Sequence, residues 1–348
     1  MKTDKSKTAK RKKEHLELCL TDDVSFKGKS TGFENYDFNH YAITEVDITQ
    51  IDFRSKFLGK KINLPFLISC MTGGTSKAEN INAQLALAAE ELKIPIGVGS
   101  QRQALEDKNF LESFKTVRKN APSVPVLGNI GAAQVVQLKS VDPFKKLVEM
   151  IEANALVIHI NPLQELLQKE GEPNFTGLLN KIKMLIKKLG VPVIIKEVGS
   201  GISKQAAAKL LDAGVKGIDV SGAGGTSWAG VEILRNKNSS ENHFWDWGIP
   251  TSYCIKETYK LKENYKFTLI GSGGIKNGMD AAKALALGAD VVASARLILQ
   301  THEKSGVEGT VNCINEIFND ISKVMYLTGS YNLKQLRNKK LIKRELLY

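Results

Sequence analysis

A chain of 348 residues with 42% hydrophobic and 25% charged side chains has the makeup of a folded protein, which excludes disordered and fibrous classes and leaves room for one large barrel or two ordinary domains. Four widely separated cysteines (Cys19, Cys70, Cys254, Cys313) form no CxxC pair and read as free thiols; with no signal-peptide core and no run of about 20 apolar residues, the expected location is the cytoplasm. The net charge of +12 sits at the ends, +6 within residues 1–13 and +5 within residues 334–348, so the nearly neutral body carries no nucleic-acid footprint.

Residues 1–63 precede the regular pattern as an extension. From residue 64 a short β-branched or apolar run, a polar or Gly-rich turn and a helix-periodic stretch recur eight times. The expected strands are 65–69, 94–98, 125–127, 155–158, 192–195, 217–220, 268–270 and 291–293. Helices are expected at 80–92, 143–153, 174–189, 203–213 and 278–287, with an insertion over 222–266 after the sixth strand and a last helix and tail from Val307 onward. Alternating βα units with buried strands predict a parallel sheet, and eight of them fit a closed (β/α)8 TIM barrel over residues 64–348. A doubly wound dinucleotide fold fits less well: the first βα turn reads Cys70-Met71-Thr72-Gly73-Gly74, not GxGxxG.

The chemistry of such a barrel lies where the strands end. In order, those ends read Met71-Thr72-Gly73-Gly74, Ser100-Gln101-Arg102, Asn129, His159-Ile160-Asn161, Lys196-Glu197, Ser221 to Thr226, Gly271-Ser272-Gly273-Gly274 and Ala295-Arg296. Gly271 to Lys276, leading into a helix at Gly278, offers bare backbone N–H groups where barrels of this kind bind phosphate. Lys196 reads as a fixed cation in a low-dielectric mouth. Glu165 in a first helical turn is expected on dipole grounds alone; beside His159, Asn161 and Gln164 it also suits Mg²⁺ bound through a ligand's phosphate oxygens.

These motifs, with Arg11-Lys12, Glu14-His15, Asp219 to Trp228 and Trp245-Asp246-Trp247-Gly248, give the chain a sequence that resembles the flavin-dependent, type 2 isopentenyl-diphosphate isomerases over nearly its whole length. The resemblance implies FMN as cofactor, Mg²⁺ as metal, NADPH as the reductant that primes the flavin, and a homo-oligomer, commonly a tetramer or octamer. It implies that Cys70, Met71, Thr72, Ser100, Asn129, Lys196, Ser221 and Thr226 hold the flavin, with Gly274, Ile275, Lys276, Ala295 and Arg296 around its phosphate. Substrate diphosphate would meet Arg11, Lys12, Ser100, Gln101 and Arg102, with His15, His159, Asn161 and Gln164 nearby and Glu165 on Mg²⁺. The N-terminal extension would thus contribute to the active site.

The implied reaction converts isopentenyl diphosphate to dimethylallyl diphosphate by a 1,3-allylic proton shift with no net redox change. Protonating an unactivated alkene needs a positioned acid and a nearby anion. Reduced FMN would supply both, beside Lys196, while Gln164, which has no proton titrating in the useful range, positions or relays. A 2-hydroxyacid oxidase on the same barrel would need a base histidine and a carboxylate-clamping arginine after the late strands, and residues 221–230 provide neither.

Overall fold

The computed structural model describes residues 5–21, 23–74, 76–339 and 341–347. Eight strands close into a parallel barrel: β1 (Phe66–Ile68), β2 (Ile96–Gly97), β3 (Val126–Gly131), β4 (Ala155–Ile160), β5 (Val193–Glu197), β6 (Gly217–Asp219), β7 (Thr268–Gly271) and β8 (Val291–Ser294). Closure is made by Val292, Ala293 and Ser294 pairing with Phe66, Leu67 and Ile68. Every expected strand overlaps an observed one. β3 outruns its expectation by four residues, because Gly128 to Gly131 stay paired to β4 as far as His159. Gly128 is there to make room, since a Cβ would stand 2.8 Å from Gln101 Oε1.

The helices that matter for the site are α1 (Lys5–Thr21), α2 (Ser76–Leu92), α3 (Pro162–Leu167), α4 (Trp228–Asn236), α5 (Gly278–Ala286) and α6 (Arg296–Leu327). One boundary departs from the sequence pattern: the helix expected from Asn174 starts only at Leu178, after Gly177 at φ +78° turns the chain. Within α6, Gly306 at φ +60° is non-helical and divides it in two, so that its second part runs from Val307, where the sequence pattern puts the last helix.

Inward and outward residues alternate along each strand, so two cores form. Outside the barrel, helices pack on Ile68, Ile96, Ile158, Ile195 and their neighbours. Inside, Leu67, Leu127, Val157, Ile194, Ile270 and Val291 fill the lumen. A hairpin pairs Ser55–Phe57 with Lys60–Ile62 through a tight turn at Leu58 and Gly59, both at positive φ, and its buried Phe57 and Ile62 join this inner cluster. Burying the Phe57 ring contributes about 1.5–3 kcal/mol and seals the barrel floor.

Both ends of the chain are tied to the body. Ser227 N–H donates to Val24 O at 2.7 Å and Trp245 Nε1–H to Ser25 O at 2.8 Å, while Asp246 accepts from the Lys27 and Gly28 N–H groups at 2.8 and 2.9 Å. Tyr36–Phe38 pairs antiparallel with Leu341–Lys343. Among the described residues no helix is long and apolar enough to cross a membrane.

Arg118 ties together the segments that enter β3 and β4. Its guanidinium donates to Ala121 O (2.8 Å), Val124 O (3.1 Å), Glu152 O (3.0 Å) and Asn154 Oδ1 (3.1 Å). Removing it leaves several part-buried acceptors without a donor. Arg118→Ala is expected to lower unfolding stability by about 2–3 kcal/mol, read as a shift in the urea midpoint, without altering ligand binding at the opposite end of the barrel.

Candidate active site

Because Val157, Ile194 and Ile270 point into the lumen, the residues two further along, His159, Lys196 and Ser272, point into the mouth. The ladder sets them side by side: His159 is the register partner of Lys196, and Lys196 of Asp219. Lys196 is 9% exposed; its ammonium donates to Glu197 O at 2.6 Å and Ser221 Oγ at 3.4 Å. The Glu197 carboxylate turns away and gathers the Val198 and Gly199 N–H groups at 2.7 and 2.6 Å, which fixes the loop beyond the strand.

His159 is half-buried at the cavity wall, and burial, helped by the charges of Lys196, Lys12 and Arg11, pulls its pKa down to about 3. The imidazole is therefore neutral. Asn129 donates its Nδ2–H to Val98 O at 3.2 Å, so its Oδ1 is the acceptor for His159 Nδ1–H at 2.9 Å. That leaves His159 Nε2 with a lone pair.

α3 opens with Pro162, and its first turn places Gln164 and Glu165 at the rim. Asn161 Nδ2–H donates to both, at 2.9 Å to Gln164 Oε1 and 3.0 Å to Glu165 Oε1. Gln164 Nε2–H donates to Glu232 Oε1 at 3.2 Å, and Glu165 Oε2 accepts from Glu172 N–H at 2.8 Å. Among the described residues nothing donates to Asn161 Oδ1, although it is buried, so one polar atom at the cavity wall is left for a ligand.

α1 lies over the mouth of its own barrel. Lys12 donates to Gly73 O at 2.9 Å and Ser100 O at 3.0 Å, and His15 sets its ring edge-on to Trp228 at 5.2 Å while bonding Glu232 at 2.8 Å. Burial and the neighbouring Arg102 guanidinium hold Arg11 below its ordinary pKa. Two arginines pressed together under a roof of α1 are a site for an anion.

Arg11, Lys12, His15, Arg102, Asn129, His159, Asn161, Gln164, Glu165 and Lys196 all border one cavity of about 990 Å³. Of the residues expected at the site, Gln101 alone does not line it: Gln101 is fully buried, accepting from Asn129 N–H at 2.9 Å and donating to Leu147 O at 3.1 Å. Its amide supports Asn129 from behind. The two Gly-rich turns touch, a Cβ on Gly225 standing 2.5 Å from the Gly274 nitrogen, so that end of the cavity is walled by backbone. α6 begins there, at Arg296, whose guanidinium is held by Cys19 O and Ser25 Oγ at 2.9 and 3.0 Å. Bare backbone, a helix start and Lys196 as donors, with the open Asn161 Oδ1 as an acceptor, make a polar set that fits a flavin mononucleotide.

Glu232 was not legible as a site residue. It lies on α4 within the insertion, has no exposed surface, and joins His15, Gln164 and Arg235; the Arg235 guanidinium also holds Glu14 of α1 at 2.8 Å and Glu170 at 3.0 Å. Its hydrogen bonds outweigh burial and keep the carboxyl below its ordinary pKa. The one signal was an acid inside the apolar run Val231-Glu232-Ile233.

A neutral His159 has a stability signature. Its folded pKa lies below the unfolded value, so the folded state resists protonation; its contribution is intact above about pH 6.5 and is lost as pH falls toward 3. In urea titrations across that window, His159→Gln is expected to lose less stability on acidification than the wild type, by on the order of 1–3 kcal/mol.

A sequence profile described as FMN-dependent dehydrogenase matches residues 5–121 and 124–343. Curated relatives include an isopentenyl-diphosphate delta-isomerase of Chlorobium phaeobacteroides, 45% identical with 99% of this chain and 98% of that one covered, and one of Chlorobaculum parvum, 46% identical with 95% and 96% covered. A lactate oxidase of Pediococcus acidilactici superposes with a TM-score of 0.71 at 15% identity, covering 99% and 96%, and shows the fold alone. The chain belongs to the FMN-dependent dehydrogenase family and groups there with the type 2 isopentenyl-diphosphate delta-isomerases.

Proposed function

We propose that the protein converts isopentenyl diphosphate to dimethylallyl diphosphate with bound FMN, and that Mg²⁺ and NADPH serve as diphosphate anchor and flavin reductant. The observation that carries this reading is one cavity walled by two anion-seeking sets, the glycine turns with Lys276 and Arg296, and Arg11, Lys12 and Arg102, together with Lys196, His159 and Asn161. A flavin phosphate and a substrate diphosphate use both. An oxidase of hydroxy acids would need a base histidine and a carboxylate-clamping arginine after the late strands, and residues 221–230 provide neither.

FMN, once reduced, supplies an acid and an anion beside the alkene. Lys196 holds positive charge at the strand end and favours a negative ring edge in its vicinity. Gln164 is fixed by Asn161 and Glu232 and orients the substrate's carbons. His159, with a free Nε2 lone pair, takes a hydrogen bond and not a charge. Arg11, Lys12, Ser100, Arg102, His15 and Asn161 grip the diphosphate, and binding so far from the reacting carbons holds them in register. Among the described residues no three His, Cys, Asp or Glu side chains gather as a metal cage. Mg²⁺ would thus take Glu165 as its protein ligand, with diphosphate oxygens and water completing the shell. Assembly into a homo-oligomer and a cytoplasmic location complete the reading.

Anaerobic incubation with FMN, Mg²⁺, NADPH and isopentenyl diphosphate, omitting each in turn, tests it: dimethylallyl diphosphate must form, vanish without FMN, and form in molar excess over NADPH consumed. Stoichiometric NADPH consumption, or no product from flavin-loaded protein, would overturn it. Arg11→Ala with Lys12→Ala is expected to raise KM about 10–100-fold, as loss of two charge-assisted contacts implies, while FMN, read by its visible absorption, stays bound.

A further inference from the structure

Asp219 opens the motif Asp219-Val220-Ser221-Gly222 and has so far been given no task. It is 1% exposed, ends β6, and stands in register beside Lys196 on one side and Ile270 on the other. Ile194 and Ile270 face the lumen, so Asp219 shares the inward row of Lys196, one strand away. The Ser272 hydroxyl donates to its Oδ1 and Ser221 N–H donates to the same carboxylate. Ser221 itself is held at φ +35°, a conformation that a non-glycine residue rarely keeps without support, and its hydroxyl touches Lys196. Burial pushes the carboxyl pKa up while Lys196 pulls it back, as expected of charges that feel each other inside a closed mouth.

We propose that Asp219 is the positioning residue that sets the strength of the Lys196 charge felt by the bound cofactor: an inward carboxylate one strand from the ammonium, held by Ser272 and Ser221 and acting on Lys196 through space. The inference rests on the reading that FMN sits against Lys196. An unopposed ammonium would favour the anionic reduced flavin strongly over the neutral oxidised one, and hence lower the pKa of the reduced form and leave less of it protonated. A carboxylate in the next strand moderates that preference. Asp219 therefore tunes an acid that must both give and take protons, without touching the substrate.

The test is the ratio of affinities for reduced and oxidised FMN, obtained from a dithionite redox titration of protein-bound FMN against free FMN. Asp219→Asn keeps the shape and the acceptor oxygen but removes the charge. We expect it to raise the ratio at least tenfold in favour of reduced flavin while oxidised FMN binds within about threefold of wild type, a change of about 1.4 kcal/mol per tenfold. A residue that only supports the turn would leave the ratio unchanged, and that result overturns the inference. Should D219N fail to fold, Ser272→Ala decides: freeing the carboxylate from its hydroxyl should lower the ratio, and an unchanged ratio is again fatal. Wild-type protein that takes up no FMN would instead defeat the cofactor reading itself.

Discussion

An ammonium buried at the end of a barrel strand constrains everything around it. Lys196 cannot be withdrawn into water without dismantling β5, so the mouth is built to live with a positive charge. Its neighbours answer in different ways. His159, one strand away, gives up protonation altogether, its Nδ1–H committed to Asn129. Glu197 hides its carboxylate in a loop of backbone N–H groups and lends Lys196 only a carbonyl. Cys70, also at the rim, has its thiol pushed up to about 12 by burial in spite of the ammonium, which removes it as a competing nucleophile. These groups next to the ammonium are left neutral or turned away from it.

The second organising element is Glu232, which plays for α1 the part that β5 plays for Lys196. A carboxylate with no exposed surface is tolerable only when fully partnered, and its partners come from three places in the chain: His15 in the extension, Gln164 on α3 and Arg235 on its own helix. The same carboxylate thus sets the position of the roof and the orientation of a side chain at the reacting end. Positioning of α1 and ordering of the amide at the site are one event.

The barrel was plain in the sequence because its signal is repetition: eight apolar runs at similar spacing survive errors in any single boundary. The strand ends were legible for the same reason, since each polar residue follows a run whose end is visible. Two kinds of feature were hidden. Glycine misled where its use was steric, as at Gly128 within β3, because a turn and a close contact look alike in one dimension. Residues whose meaning comes from a distant partner were also missed: Glu232 and Arg235 sit in an insertion whose fold depends on α1 and α3, and Gln101, expected at the ligand, is turned inward by the needs of Asn129.

The hairpin that carries Phe57 and Ile62 into the lumen has a consequence for traffic. With Phe57 and Ile62 packed in the lumen, the barrel's interior is filled from below and the cavity lies at the strand ends, where α1 lies across it. A molecule entering from that side must pass the helix, so the packing of α1 bears on the pace of exchange as well as on grip.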